Sequence, residues 1–192
     1  MAIWIAFFRG INVGGRHSLP MKELVSLFDA KGCTDVGTYI QSGNVVFKRR
    51  SVGGLADEIG AEILASRGFE PRILVLSTAE LKNAIDRNPY PKATEDPKTL
   101  HLYFLASQPE QPDLESMTGI KTDIEQFSLD EKVLYLCVPD GIGRSKLADN
   151  VDKLLGVQAT ARNWRTVTRV YALACSQFQA VAKSAPYLRG ES

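Results

Sequence analysis

Residues 88–98 read NPYPKATEDPK and divide the 192-residue chain into two halves. The segment contains three prolines and no helical or alternating apolar pattern, so neither a helix nor a strand is expected to continue through it. These observations predict a first half at residues 1–88, a linker at residues 89–98, a second half with a closing helix at residues 99–183, and a tail at residues 184–192.

The half before the linker alternates between strand and helix patterns. It opens on the apolar run Ile3–Phe8, which is typical of a strand buried on both faces. Apolar residues then recur at helical spacing after Pro20 and after Leu55. The predicted strands are residues 3–8, 38–41, 45–47 and 72–76, and the predicted helices are residues 20–31, 55–64 and 78–85, the last capped by Ser77 or Thr78.

The half after the linker repeats this order. Its predicted strands are residues 100–105, 123–127, 133–138 and 158–162, and its predicted helices lie near residues 113–117, at residues 145–155, and from residue 163 to residue 182. A βαββαβ order is the split arrangement of ferredoxin-like folds. The chain is therefore predicted to be an α+β protein of two ferredoxin-like βαββαβ units, each followed by an extra helix, sharing a core in one compact chain.

Composition excludes several classes of protein. With 44% hydrophobic residues, 23% charged residues and a net charge of +1, the chain is neither disordered nor uniformly basic. No apolar run approaches the roughly 18 residues of a membrane span, and the N-terminal MAIWIAFFRG lacks the basic start of a signal peptide. We therefore expect a cytoplasmic protein that does not enter a membrane.

Cysteines and histidines give no support for a metal site or a catalytic triad. Cys33, Cys137 and Cys175 are far apart and lack ligand spacing, so reduced thiols and no bound metal are expected. His17 and His101, the two histidines, are not placed beside a serine, cysteine or acidic pattern of a nucleophilic site.

Four segments resemble a known family: RGINVGG (Arg9–Gly15), YIQSGNVVF (Tyr39–Phe47), GRSKL (Gly143–Leu147) and ARNWRTV (Ala161–Val167). In this order they resemble the mainly bacterial family called domain of unknown function 1697, and the resemblance extends over about residues 2–175. It implies the duplicated α+β fold predicted above and no particular reaction.

The first motif is a glycine-rich loop directly after a predicted strand. Its spacing is that of a P-loop, but Arg16–His17 replaces the lysine and hydroxyl residue that such a loop needs. Gly14–Gly15 can expose backbone amides to an anion beside the charge of Arg9. Alternatively, the segment is a tight turn in which Asn12 bonds the backbone. In either case Gly14–Gly15 or Gly43 is expected to have a positive φ.

Basic residues flank two predicted helix starts in the second half, where free amides attract anions. Residues 141–175 contain six basic and two acidic residues, whereas residues 110–140 contain eight acidic and two basic residues. These two stretches could instead pair with each other. The residues at the helix starts are Arg144, Ser145 and Lys146, and Arg162, Asn163 and Arg165.

Two further features of the sequence have two interpretations each. Trp164 could stack a base, or fill the core, which is the more ordinary role. In the stretch Tyr39–Asn44, Tyr39 and Gln41 could line a pocket; alternatively, Gln41 and Asn44 only satisfy the turn.

The leading hypothesis is binding of a phosphate-bearing ligand, either a nucleotide or a nucleic acid, without a metal or a cofactor. An enzyme acting on a small anionic substrate, with a base that the sequence does not identify, is the second hypothesis. A cytoplasmic interaction module that forms a homodimer edge to edge is the third. The candidate ligand-binding residues are Arg9, Asn12, Gly14, Gly15, Gln41, Asn44, Arg144, Ser145, Lys146, Arg162, Asn163 and Arg165.

Overall fold

A computed structural model describes the backbone of residues 1–184 and the side chains of residues 1–176. The strands are β1 (Ala2–Arg9), β2 (Thr34–Tyr39), β3 (Asn44–Arg49), β4 (Arg72–Ser77), β5 (Leu100–Leu105), β6 (Gln126–Asp130), β7 (Val133–Cys137) and β8 (Ala159–Asn163). The helices are α1 (Met21–Ala30), α2 (Leu55–Arg67), α3 (Thr78–Asp86), α4 (Leu114–Ile120), α5 (Lys146–Leu155) and α6 (Trp164–Ser184). None of the helices in this described part is long and apolar enough to cross a membrane.

The strands form two four-stranded antiparallel sheets with the same internal order. The first sheet is ordered β2-β3-β1-β4 and the second β6-β7-β5-β8. In both sheets the first and third strands of the half lie at the centre, and the second and fourth lie at the edges. The predicted α+β fold with two βαββαβ units, each followed by a helix, is confirmed.

A central core lies between the two sheets and joins the halves. Ile3, Ile5 and Phe7 of β1 enter it from the first sheet, and the Phe7 and Phe104 rings lie 5.2 Å apart across the junction. The alternate residues of β1, Ala6 and Phe8, point to a second core under α1 and α2. A third core lies between the second sheet and α4 and α5, while α3 and α6 contribute to the central core. Since β1 is buried on both faces, the two halves cannot separate without exposing apolar surface.

Two strands differ from the predicted positions. Of the strand predicted at residues 38–41, only residues 38–39 belong to β2, which starts earlier, and residues 40–41 lie in the turn at residues 40–43. The apolar pattern of β2 is weak because its residues are exposed or half-buried, and its pairing with β3 is irregular between Thr34 and Gly37. The strand predicted at residues 123–127 lies at Gln126–Asp130, where Phe127 and Leu129 alternate towards the third core.

The segment predicted as a linker contains a short 3-10 helix, Pro91–Glu95. Tyr90 and Ala93 in it pack against the central core. Ser77 caps α3 in a reciprocal capping box with Glu80, as one of the two predicted caps. The predicted tail at residues 184–192 lies, from residue 185 onward, outside the described residues.

Candidate functional site

The glycine-rich loop after β1 folds as a narrow hairpin. Val13 and Arg16 form a bridge, and between them Gly14 and Gly15 have φ values of 59° and 73°. The Asn12 side chain accepts from the Leu19 amide at 2.8 Å and donates to the Leu19 carbonyl at 2.9 Å. This is the tight turn held by Asn12 that the sequence allowed, and the predicted positive φ of these glycines is confirmed.

The turn between β2 and β3 lies directly beside this loop. Asn12 donates to the Gln41 carbonyl at 2.8 Å, while the Gln41 residue is exposed. Asn44 is fully buried and donates to the Tyr39 carbonyl and to the Ser42 hydroxyl, both at 3.0 Å. Gly43 has a φ of 71°, which also confirms the prediction.

Arg162 extends from β8 into this turn of the other half. Its Nε donates to Asn44 Oδ1, and its Nη2 donates to the Phe8 carbonyl at 2.6 Å. The same Nη2 lies 3.1 Å and 3.2 Å from the carbonyls of Ser42 and Gly43. The guanidinium also lies over the Phe7 ring, 5.0 Å from its centroid. Burial lowers the pKa of Arg162 to about 10, so the group is charged at neutral pH.

Three of the four motifs therefore meet at one place. Asn12 of the first motif bonds Gln41 of the second, and Arg162 of the fourth bonds Asn44 of the second. All of these polar contacts are made within the protein. The cluster holds the two halves in a fixed relation, because a planar guanidinium satisfies several carbonyls only in one orientation.

Arg9 lies at the opposite end of β8 from the start of α6. It donates to Asp152 at 2.5 Å and to the Ala159 carbonyl at 2.6 Å, and Arg72 contacts the same Asp152 oxygen at 3.0 Å. Ala159 and Asn163 are the first and last residues of β8, about 13 Å apart at the usual strand rise. The structure thus does not bring Arg9 to the helix starts.

The starts of α5 and α6 lie at one end of the second sheet. β7 and β8 flank β5, and their last residues, Cys137 and Asn163, pair with Leu100 and His101 at its beginning. Both helices then have side-chain caps. Ser145 Oγ accepts from the Ala148 amide at 3.0 Å, and Asn163 Oδ1 accepts from the Thr166 amide at 2.9 Å.

Three basic residues at these helix starts are exposed. Arg144, Lys146 and Arg165 make no ion pair within the part of the chain that the structure describes. Arg144 lines a small hollow with Asp140 and Glu125, and the Glu125 carboxylate already accepts from the Thr122 amide at 2.9 Å. Trp164, which lies between Arg162 and Arg165 in the sequence, packs against the central core, as its more ordinary interpretation predicts.

The acidic and basic stretches of the second half form no ion pair with each other among the described residues. Asp130 and Glu131 instead pair with Arg87 of the first half, at 2.6 Å and 3.5 Å. Among the described residues, the basic side chains at the helix starts are therefore not paired with the acidic stretch.

Two adjoining clefts follow the edge strand β4, and no sequence motif predicts them. One has a volume of about 430 Å³ and the other about 330 Å³, and both are lined by Leu74, Phe104 and Ala106. Asp57, Glu70 and Arg72 line the first cleft. These residues come from α2, the loop before β4, β4 itself and the second half, so no local motif contains them all.

Comparisons with known proteins agree with this architecture. The family model described as "Protein of unknown function (DUF1697)" matches residues 1–135. The solved structure of the conserved bacterial protein SP0830 from Streptococcus pneumoniae is similar with a TM-score of 0.63 and 18% identity. The match covers 90% of this chain and 98% of that one, and at this identity it shows the fold alone. None of the curated proteins matches the chain.

Proposed function

Because the chain belongs to the DUF1697 family of proteins of unknown function, its activity has to be inferred from its own residues, and we propose that it binds a phosphate-bearing ligand at the starts of α5 and α6. One observation carries the proposal. Arg144, Lys146 and Arg165 are exposed at two capped helix starts on the same end of the second sheet, without ion-pair partners in the described part of the chain.

The chemistry of this surface suits an anion. The first amides of each helix carry partial positive charge, and the caps leave some of these amides free to donate. Arginine binds phosphate oxygens through two parallel hydrogen bonds, and lysine adds a point charge. Nucleotides and single-stranded nucleic acids both present such oxygens. We place this binding in the cytoplasm, where the free thiols Cys33, Cys137 and Cys175 would stay reduced.

Titration of mononucleotides and short single-stranded oligonucleotides at low salt tests the proposal. An Arg144→Ala, Arg165→Ala double variant should bind at least tenfold more weakly, because each charge-assisted hydrogen bond is worth about 1.5–3 kcal/mol. A Lys22→Ala, Arg50→Ala double variant removes the same charge from exposed positions in the first half and should bind like the wild type. If the wild type binds none of these ligands, or if both double variants lose affinity equally, the proposal is wrong.

A further inference from the structure

The edge strand β4 is open to pairing along a groove between the two halves. In the described residues it pairs with β1 on one side only. The clefts follow each other along it, the first lined by residues 70–74 and the second by residues 74–76. Phe104 and Ala106 of the second half form the facing wall of both clefts.

β4 lacks the features that protect sheet edges from pairing. Ile73–Leu76 is an apolar run with no proline, no lysine and no bulge, and its residues are half-buried. The opposite edge of the same sheet, β2, is interrupted by an irregularity between Thr34 and Gly37. The β4 edge therefore has a continuous register, whereas the β2 edge does not.

We propose that an extended peptide segment with alternating basic and apolar residues binds in this groove by adding to β4 as a fifth strand of the first sheet. Backbone hydrogen bonds to the edge supply affinity in this mode, and alternate side chains supply specificity.

The two sides of the added strand would meet different chemistry. Ile73 and Val75 face the core under α1 and α2, whereas Leu74 and Leu76 face the central core. The side towards α2 therefore carries Asp57 and Glu70, which have no basic partner in the described part of the chain. The other side meets Leu74 and Phe104. Basic residues suit the first side and apolar residues suit the second.

The acidic character is confined to the first cleft, because the second is also lined by Lys132, which is exposed and makes no ion pair among the described residues. Arg72 and Arg87, which also line the groove, are already paired with Asp152 and with Asp130 and Glu131, respectively. The buried Gly60 in α2 leaves room for the Glu70 carboxylate, whose Oε1 lies 3.4 Å from the place that a Cβ would occupy. A larger residue at position 60 would push this carboxylate from the cleft wall.

The wall formed by Phe104 and Ala106 leaves room for one extended peptide beside β4 but not for a second copy of the chain. An extended segment needs only the usual 4.7–4.9 Å spacing from β4. A second copy pairing through its own β4 would bring its sheet and covering helices against Phe104 and Ala106.

The proposal is tested with a fluorescent ten-residue peptide in which valine and lysine alternate. A peptide of the same length in which valine and glutamate alternate is the charge control. Ala106 is exposed and lines both clefts, so Ala106→Trp should block the groove and weaken binding at least tenfold without disturbing a core. Ser107→Trp changes the next residue, which is exposed and lines neither cleft. This variant should bind the lysine peptide as tightly as the wild type does. Asp57→Asn with Glu70→Gln should also weaken binding at least tenfold.

Hydrogen exchange shows whether the peptide adds as a strand. The amides of residues 72–76 that do not pair with β1 should become protected when the lysine peptide binds. Arg144→Ala with Arg165→Ala should leave peptide binding unchanged, which separates this proposal from the anion site.

Four outcomes would overturn the proposal. The proposal is wrong if the glutamate peptide binds as tightly as the lysine peptide, or if Ala106→Trp binds the lysine peptide with unchanged affinity. It is also wrong if the amides of residues 72–76 gain no protection from exchange when the peptide binds, or if a concentration-dependent dimer already protects them without peptide.

Discussion

Arg162 Nε donates a hydrogen bond to Asn44 Oδ1, joining residues that are 118 positions apart and belong to different halves of the chain. Among the described residues no carboxylate bonds this guanidinium, and its other acceptors are backbone carbonyls. The bond therefore ties the relative position of the two sheets to one side chain on β8. Removing this bond should therefore lower the free energy of unfolding.

Replacing Arg162 by methionine should lower the free energy of unfolding by about 2–4 kcal/mol, because buried carbonyls and Asn44 lose their donor. Arg165→Met, three residues along the chain and exposed, should change it by less than about 0.5 kcal/mol. Urea unfolding measures both. A double-mutant cycle with Asn44→Ala should give a coupling above about 1 kcal/mol. Additive effects would mean that the two side chains do not stabilise each other.

Gly43→Ala should lower the free energy of unfolding much more than Gly15→Ala, although φ is 71° at Gly43 and 73° at Gly15. A Cβ at Gly43 would lie 2.5 Å from Phe8 Cβ and 2.6 Å from Ile11 Cδ1, whereas Gly15 has nothing within 4 Å. The left-handed conformation alone costs about 1–2 kcal/mol, and the clash at Gly43 adds to it. Thermal unfolding of the two variants compares these costs. Equal losses of stability would show that the turn relaxes around the new methyl group.

His101 should make the protein less stable in mild acid. Burial lowers its pKa to about 4, and its Nδ1 has no hydrogen-bond partner among the described residues. Between about pH 4 and the usual pKa near 6.5, the unfolded chain binds more protons at this residue. Its contribution to stability is therefore complete above about pH 6.5 and falls by about 3 kcal/mol as the pH is lowered to about 4.

Urea unfolding from pH 4 to pH 7.5 checks the role of His101. The His101→Leu variant should lose less stability on acidification than the wild type. His17→Gln, at the other histidine, is the control that removes an imidazole outside the core. An unchanged pH slope in His101→Leu would assign the effect to other groups.

Asp152→Asn should lower stability by no more than about 1 kcal/mol, although Asp152 contacts two arginines. The side chains of Arg9 and Arg72 are 45% and 50% exposed, so solvent and salt screen both pairs. The difference from the wild type should shrink between 50 mM and 1 M salt. A loss above 2 kcal/mol that salt does not reduce would show that Asp152 has a further structural role.

The sequence determined the element order, the duplication and the helix caps because each depends on neighbouring residues. Ser77 and Ser145 cap the helices that they precede, and the glycines at 14, 15 and 43 have positive φ within short turns. The alternation of Phe127 and Leu129 likewise marks β6.

Tertiary structure alone decided which charged residues are available to a partner. Arg162 and Arg165 are arginines of the same sequence motif. However, β8 places Arg162 on the face towards the first half, and α6 leaves Arg165 exposed. The groove along β4 likewise depends on strand order and on how the halves pack, because Asp57, Glu70 and Phe104 come from different elements. Local patterns determine secondary structure, whereas the distance between such side chains depends on contacts between residues far apart in the chain.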